Sequence, residues 1–205
     1  ELSGDGLRKG CVMHESALRH AEPDMHIGVL ALQGAYARHA QVLRGMGHAL
    51  TLVRTPRDLE GLEGLVLPGG ESSVQLELIA RAGLEASLRA LITSGKPVLA
   101  TCAGLILLAR RVHNPEQHSL ALLDVTVTRN AWGRQIHSFE ARADGADLPL
   151  VLIRAPRIRA HGANVEVLAS YRGEPVLVRE RNITGATFHP ELTADPRVHA
   201  QVFGE

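Results

Sequence analysis

The chain has 205 residues, of which 45% are hydrophobic and 21% are charged, an ordinary composition for a globular domain with one substantial core. Its 22 basic residues balance 22 acidic ones, so no net charge attracts nucleic acid or an anionic membrane. No apolar run reaches the roughly 18 to 20 residues that span a bilayer, so we expect no membrane association.

Residues 1–24 lack the periodicity of a helix or a strand, and they contain no apolar segment typical of a signal peptide. We expect a disordered leader or extension there, followed by one domain over residues 25–205. The two cysteines, Cys11 and Cys102, do not have a metal-ligand spacing. Because a disulfide would consume a useful thiol, we expect a reducing, cytoplasmic environment.

From His26 onwards, apolar runs alternate with helical patterns. Such alternation is typical of a parallel sheet covered by helices on both faces, in which ligands bind beyond the carboxyl ends of the strands. Gly47 is expected to end the first helix. The pattern predicts strands over residues 27–32, 48–53 and 65–67 and just before Cys102, with helices over 35–46, 72–82 and 84–93.

Shorter strands separated by turn residues follow in the second half of the chain. We interpret them as an antiparallel addition that continues the sheet, closed by a final helix over residues 196–203. The fold class is therefore α/β, with a mostly parallel central sheet. The predicted strands cover residues 125–127, 136–140, 150–153, 165–168, 176–178 and 183–188.

Cys102 lies where a buried strand turns sharply into a helix that opens with Ala103 and Gly104. Such a turn exposes a nucleophile, and small neighbours such as Ala100 and Gly104 let strand and helix approach closely. The helix start also directs free N–H groups at the sulfur, which favours the reactive thiolate. The alternative is a buried structural cysteine, a common role for this residue type.

His189 follows the last predicted strand, so it can meet Cys102 at the same edge of the sheet. Glu191 can turn back across Pro190 to accept a hydrogen bond from the imidazole, as the third member of a catalytic triad. Each residue has a simpler interpretation. The chain contains eleven histidines, most of them expected at the surface, and Glu191 could help to start the last helix.

Gly69 and Gly70 follow the third predicted strand, and Gln33 follows the first, so both loops point to the crevice at Cys102. Backbone N–H groups of Gly70 and Ala103 could form an oxyanion hole. The alternative is an ordinary tight turn.

Taken together, these motifs resemble the glutaminase subunit family of pyridoxal 5′-phosphate synthase, a branch of the triad-type class I glutamine amidotransferases. The Cys-His-Glu elements are common to the whole class, whereas ALQG (31–34), RNAWGRQ (129–135) and IRAP (153–156) point to this branch. The resemblance covers residues 25–205. Further matching segments are residues 67–73, 101–109, 138–140 and 187–193.

The resemblance implies the three-layer class I fold and hydrolysis of L-glutamine to glutamate and ammonia, without a metal or an organic cofactor. Cys102 would be the nucleophile, His189 the acid and base, and Glu191 its partner. For each arginine, the alternative is a surface ion pair. The glutamine pocket would be lined by Gly69, Gly70, Glu71, Arg129, Ile153 and Arg154.

The same resemblance implies a partner, a barrel-shaped synthase subunit that uses the ammonia within a large multi-subunit complex. Gln33 is the candidate for coupling to that partner, because it belongs to the matched ALQG segment beside the crevice. Neither nucleic acid nor a membrane is expected as a partner.

Three positions depart from the family pattern: Ala100 stands where glycine is usual, Ser73 where threonine is usual, and His137 where an acidic residue is usual. None of them is a triad member.

Two alternative functions stay open. The chain could serve another amidotransferase, which should lack RNAWGRQ and IRAP, or it could be a non-catalytic binding or stress protein on the related cysteine-elbow fold, which would not require His189 and Glu191 together.

Overall fold

A seven-stranded sheet forms the centre of the fold. The computed structural model describes residues 24–131 and 139–204. The extension predicted over residues 1–24 lies outside these ranges apart from Asp24, as do Cys11 and residues 132–138, which include His137 and most of the RNAWGRQ segment. None of the helices in the described ranges is long and apolar enough to cross a membrane.

The helices and strands of the first half begin and end within two residues of their predicted bounds, and Gly47, at φ 97°, follows the end of the first helix as expected. Short 3-10 turns lie at Pro56–Leu59 and Pro190–Leu192. The elements are, in chain order, β1 (His26–Leu30), α1 (Tyr36–Gly45), β2 (Ala49–Val53), β3 (Gly64–Leu67), α2 (Ser72–Arg81), α3 (Glu85–Thr93), β4 (Val98–Thr101), α4 (Ala103–Leu108), β5 (Ala109–His113), β6 (Leu123–Thr128), β7 (Phe139–Arg142), β8 (Pro149–Leu152), β9 (Arg157–His161), β10 (Glu166–Tyr171), β11 (Glu174–Glu180), β12 (Ile183–Ala186) and α5 (Arg197–Phe203).

The strand order in the central sheet is β10-β11-β12-β4-β3-β1-β2. The five strands from β12 to β2 are parallel to one another, while β11 and β10 continue the sheet in antiparallel pairing. The mostly parallel sheet is therefore confirmed. Because β1, β3, β4 and β12 are parallel, the loops that follow them all emerge at one edge.

Helices cover both faces of this sheet, as the continuous apolar strands predict. Side chains alternate between the faces along β3. Leu65 and Leu67 belong to the apolar cluster that includes Ile79 of α2, whereas Val66 belongs to the cluster that includes Leu43 of α1. Helices α2, α3 and α4 thus contribute to one layer, and α1 and α5 to the opposite layer.

The second half differs from the prediction of one antiparallel addition. Within the described ranges, only β10 and β11 extend the central sheet, whereas β5, β6 and β9 form a separate three-stranded sheet and β7 pairs with β8. The sequence pattern missed β5 and β9 because they carry few buried apolar side chains; in β9 only Ile158 is buried. The pattern also cannot identify a strand's partner, since either sheet would bury the same residues.

Candidate active site

Cys102 occupies a strained turn between β4 and α4, with φ 47° and ψ −101°. Positive φ is unfavourable for a residue with a side chain, so the turn must be held by its surroundings. The Cys102 N–H donates to the Ala186 carbonyl at 2.8 Å, and the Cys102 carbonyl accepts from the Ile106 N–H at 3.2 Å. The turn is therefore tied to β12 on one side and to the first turn of α4 on the other.

The small residues around this turn are required by close packing. A Cβ atom on Gly104 would lie 2.0 Å from the Leu67 carbonyl oxygen, so α4 can approach β3 only with glycine at this position. Ala100 is fully buried in β4 between Leu67 of β3 and Gly185 of β12. An alanine is accommodated there without displacing the turn.

His189 and Glu191 lie just beyond the carboxyl end of β12. The His189 N–H donates to the Val151 carbonyl at 2.9 Å, which fixes the backbone, and Nδ1 lies 2.7 Å from Oε1 of Glu191. Glu191 belongs to the 3-10 turn Pro190–Leu192 and not to the final helix. Its carboxylate is therefore free to pair with the imidazole, as the triad interpretation requires.

The pKa values of His189 and Glu191 shift in opposite directions. Burial alone would lower the pKa of His189, but hydrogen bonds to Cys102 and Glu191, together with their charges, raise it to about 10. Burial alone would raise the pKa of Glu191, but His39 and His189 outweigh it and lower that pKa below its ordinary value. An imidazolium held between a carboxylate and the cysteine sulfur is the arrangement that supports a thiolate nucleophile.

The glycine loop after β3 packs on the imidazole. A Cβ atom on Gly69 would lie 2.3 Å from Cε1 of His189 and 3.3 Å from Cβ of Cys102. The Gly69 carbonyl accepts from the Ala35 N–H at 2.9 Å. Because a trans peptide points its carbonyl and N–H in opposite directions, this hydrogen bond orients the N–H of Gly70 away from Ala35.

Gln33 connects the loop after β1 to this glycine loop. Its side-chain Oε1 accepts from the Glu71 N–H at 2.9 Å, and its backbone carbonyl accepts from Nε2 of Gln75 at 3.1 Å. A change in the loop that contains Gln33 would therefore reach the start of α2 directly.

A cavity of about 180 Å³ opens above Cys102 and His189. Gly69 and Ala103 are not among its lining residues: Gly69 lies behind it against His189, and Ala103 is buried at the start of α4. A larger cavity of about 660 Å³ lies beside β7 and β8, but neither Cys102 nor His189 lines it. The other residues that line the smaller cavity are Gln33, Gly70, Glu71, Ser72, Ile106, Arg129, Asn130, Ile153 and Arg154.

Two arginines share one carboxylate in this cavity. A terminal nitrogen of Arg129 donates to Oε1 of Glu71 at 2.8 Å, and a terminal nitrogen of Arg154 lies 3.6 Å from Oε2. The ion-pair alternative for the arginines therefore holds in part, because their partner is itself a pocket residue. Two guanidinium groups against one carboxylate leave positive charge for an anionic ligand.

Sequence reasoning missed several residues at this site. Ser72, Ile106 and Asn130 line the cavity, and Asn130 was signalled only by its place beside Arg129. His39 of α1 contacts Glu191 from behind, at 3.3 Å between Nε2 and Oε2.

The expectation of mostly exposed histidines is wrong for the described part of the chain, where four of eight are buried: His39, His48, His189 and His199.

Comparisons with known proteins agree with this geometry. Residues 29–205 match the model of the SNO glutamine amidotransferase family. A pyridoxal 5′-phosphate synthase subunit PdxT from Koribacter versatilis is 52% identical over 179 residues, which are 85% of this chain and 92% of that protein. The subunit of the same name from a Thermotoga species is 47% identical over 180 residues, covering 85% and 96%. A crystal structure described as a glutamine amidotransferase has a TM-score of 0.80 and 42% identity, covering 87% of this chain and 99% of its own.

Proposed function

The chain belongs to the SNO glutamine amidotransferase family, and from that membership we propose that it is the glutaminase subunit of a pyridoxal 5′-phosphate synthase. It hydrolyses L-glutamine to glutamate and ammonia, and the ammonia is used in vitamin B6 synthesis. The observation that carries the proposal is the placement of Cys102 and the His189–Glu191 pair beside one cavity that also contains two arginines.

Cys102 provides the nucleophile, and His189 transfers the protons. The thiolate attacks the side-chain amide carbon, and the imidazolium gives its proton to the departing nitrogen, which leaves as ammonia. The resulting thioester is attacked by a water molecule from which the now neutral imidazole takes a proton. Glutamate leaves as the thiolate and the imidazolium are restored. Glu191 keeps the imidazole in the required tautomer and stabilises its charged form.

The negative oxygen of the two tetrahedral intermediates needs backbone donors. Ala103 is the first residue of α4, so its N–H has no partner within the helix. We assign the second donor to Gly70, in the glycine loop that packs on His189. The loss of one such donor typically costs about 3 to 4 kcal/mol of transition-state stabilisation.

The backbone end of the substrate carries a carboxylate and an ammonium group. The carboxylate pairs with Arg129 and Arg154, since a guanidinium forms two charge-assisted hydrogen bonds with a carboxylate. Glu71 accepts from the ammonium group, and Gly70 and Ile153 shape the pocket around the side chain. This orientation brings the amide carbon to Cys102.

The partner is the subunit that consumes the ammonia. We propose a barrel-fold synthase subunit within a large complex, in a reducing cytoplasm where the catalytic thiol stays free. Release of ammonia into water would allow its protonation and loss, so physical association of the two activities has a chemical advantage.

The test is glutamate release and pyridoxal 5′-phosphate formation by the chain mixed with the synthase subunit. The Cys102→Ser variant should lose glutamine hydrolysis by roughly a thousandfold or more, because a serine hydroxyl is far less ionised than a thiol. Its unfolding transition should match that of the unmodified chain. Normal turnover in that variant would refute the nucleophile assignment. Glutamate release without pyridoxal 5′-phosphate formation would favour another amidotransferase.

A further inference from the structure

A buried polar cluster lies behind the carboxylate of Glu191. It consists of His39 on α1, Thr101 at the end of β4 and His199 on α5, and all three residues are 0% exposed. Nδ1 of His39 lies 2.9 Å from Nε2 of His199, and Nε2 of His39 lies 3.1 Å from Oγ1 of Thr101 and 3.3 Å from Oε2 of Glu191. The cluster therefore adjoins the carboxylate oxygen that does not contact His189.

The direction of these hydrogen bonds follows from the chemistry of the groups. An ionised carboxylate repels a nitrogen lone pair, so the nitrogen of His39 that lies 3.3 Å from Glu191 carries the proton, which it donates to Oγ1 of Thr101. Nδ1 of His39 then accepts from the Nε2–H of His199. This assignment leaves Nδ1 of His199 without a proton, and that buried atom has no hydrogen-bond partner within the described residues.

The opposite tautomers are doubly unfavourable. They would place a nitrogen lone pair of His39 beside the Glu191 carboxylate, and they would leave a buried N–H on Nδ1 of His199 without an acceptor. An orphaned buried donor carries the full desolvation penalty. Two independent costs thus select the same proton arrangement.

Both histidines of the cluster are neutral near pH 7. Burial lowers the pKa of His39 to about 4 against the opposing influence of Glu191. Burial and the neighbouring His39 lower the pKa of His199 to about 3. The approach of His39 to Glu191 at 3.3 Å is therefore one of a neutral N–H group to a carboxylate, and Oε2 of Glu191 has no hydrogen-bond partner within the described residues.

We propose that His39 is a positioning residue of the glutaminase site: its Nε2–H, hydrogen-bonded to Thr101, lies against Oε2 of Glu191 and favours the carboxylate orientation that keeps Oε1 on Nδ1 of His189. The inference rests on the proposed function and extends the triad by one residue. Thr101, which accepts from the same nitrogen, directly precedes the nucleophile. The same donor thus contacts both the carboxylate and the strand end that carries Cys102.

A neutral donor suits this position better than a cation would. An arginine or lysine behind Glu191 would neutralise the carboxylate and weaken its stabilisation of the imidazolium. His39 fixes the orientation of the carboxylate while leaving its full charge to His189.

The test compares three variants in the complex with the synthase subunit. His39→Leu removes the donor, and His39→Gln restores an N–H donor. His48→Leu is the control for loss of a buried histidine, because His48 is 6% exposed, packs near Phe203, and has no hydrogen bond to either ring nitrogen within the described ranges. We expect kcat to fall about tenfold in His39→Leu, with KM for glutamine changed less than about twofold, and to recover largely in His39→Gln. His48→Leu should keep the kcat of the unmodified chain.

The pH profile provides a readout that a purely structural role would not change. Without the His39 donor, the pKa of Glu191 should rise, so the acid limb of kcat should move to higher pH in His39→Leu and not in His48→Leu. Among the described residues, His39 and His189 are the titratable groups that contact Glu191, with Cys102 beyond the imidazole and His199 behind His39. Arg38 and Asp195 line an adjacent cavity.

A measurement on the unmodified chain keeps the inference testable if His39→Leu does not fold. Nitrogen-15 NMR of the imidazole rings should show protons on Nε2 of both His39 and His199. A proton on Nδ1 of His39, or equal kcat and pH profiles in His39→Leu and His48→Leu, would overturn the positioning role. Absence of glutamine hydrolysis by the unmodified complex would instead refute the proposed function and leave the tautomer measurement standing.

Discussion

Gly69 lies against the imidazole of His189 so closely that no other residue fits: an added Cβ atom would be 2.3 Å from Cε1 and 2.9 Å from Nδ1 of that ring. The geometry of the candidate active site therefore depends on the absence of a side chain at Gly69 in the loop after β3. The imidazole in turn is held by Glu191, so it has little freedom to move aside.

Gly69→Ala should reduce glutamine hydrolysis by about a hundredfold or more, because a methyl group would displace the imidazole by a large fraction of an ångström. Steady-state kinetics in the complex would measure the loss. Gly45→Ala is the matched control: its Cβ would meet no atom within 4 Å at the end of α1, so activity should be unchanged and stability equal or slightly higher. Equal activity in both variants would contradict the packing argument.

Glu191→Gln should lower kcat far more than it changes KM for glutamine. The amide keeps the shape of the side chain and can still accept from Nδ1 of His189, but it lacks the charge that stabilises the imidazolium. We expect kcat to fall by about a hundredfold or more. Kinetics identical to those of the unmodified chain would make Glu191 a structural residue.

The isolated chain should hydrolyse glutamine weakly and be activated by the synthase subunit. The Gly69–Gly70 peptide is oriented by the hydrogen bond from Ala35, two residues after Gln33, so docking on the loop after β1 can change the orientation of the Gly70 N–H that we assign as an oxyanion donor. A change of about 1.4 kcal/mol alters the population ratio tenfold. Glutamine turnover should rise as the synthase is titrated in, and Gln33→Ala should reduce that rise. High activity that the titration leaves unchanged would exclude such a switch.

Stability should have its maximum near pH 6.5. Burial lowers the pKa of His39 to about 4 and that of His199 to about 3, from 6.5, so below pH 6.5 the unfolded chain binds more protons and the free energy of unfolding falls. For His39 alone the loss approaches about 3 kcal/mol by pH 4. The pKa of His189, raised to about 10 despite its burial by contacts with Cys102 and Glu191, has the opposite effect, since its stabilisation is lost as the pH rises from 6.5 towards 10.

Urea unfolding between pH 5 and 9 would measure this profile. The acid side should become shallower in His199→Phe, which removes one of the two buried groups whose pKa is lowered. A free energy of unfolding that is constant between pH 5 and 6.5 would contradict the burial of neutral histidines.

The meeting of Cys102 and His189 was predictable because both residues follow strands whose parallel direction the apolar pattern indicates. Neighbouring parallel strands bring their carboxyl ends together, and β4 and β12 are neighbours in the sheet. The pairing of His39 with His199 was not predictable. Each lies on the buried side of a short helix, where periodicity predicts a core position but gives no information about a polar partner on a helix from the other end of the chain.

The architecture of the second half was harder to predict for a related reason. In β6 the alternation of buried and half-buried residues indicates a strand, but it does not say whether that strand joins the central sheet or a separate one. Its partner β5 carries two arginines in five residues, so its apolar signal is too weak to recognise. Pairing in such strands is decided by contacts that a local pattern does not contain.

The shared carboxylate of Glu71 has a consequence for ligand selectivity. Because Glu71 contacts both Arg129 and Arg154, the two guanidinium groups are paired with a carboxylate of the protein itself. A simple carboxylate would have to separate Glu71 from its arginines and would offer that side chain no cation in exchange. An amino acid brings an ammonium group together with its carboxylate, so each charge that it displaces receives a new partner. On the proposed function, the pocket would thereby discriminate against inorganic anions and simple acids before any reaction at Cys102 begins.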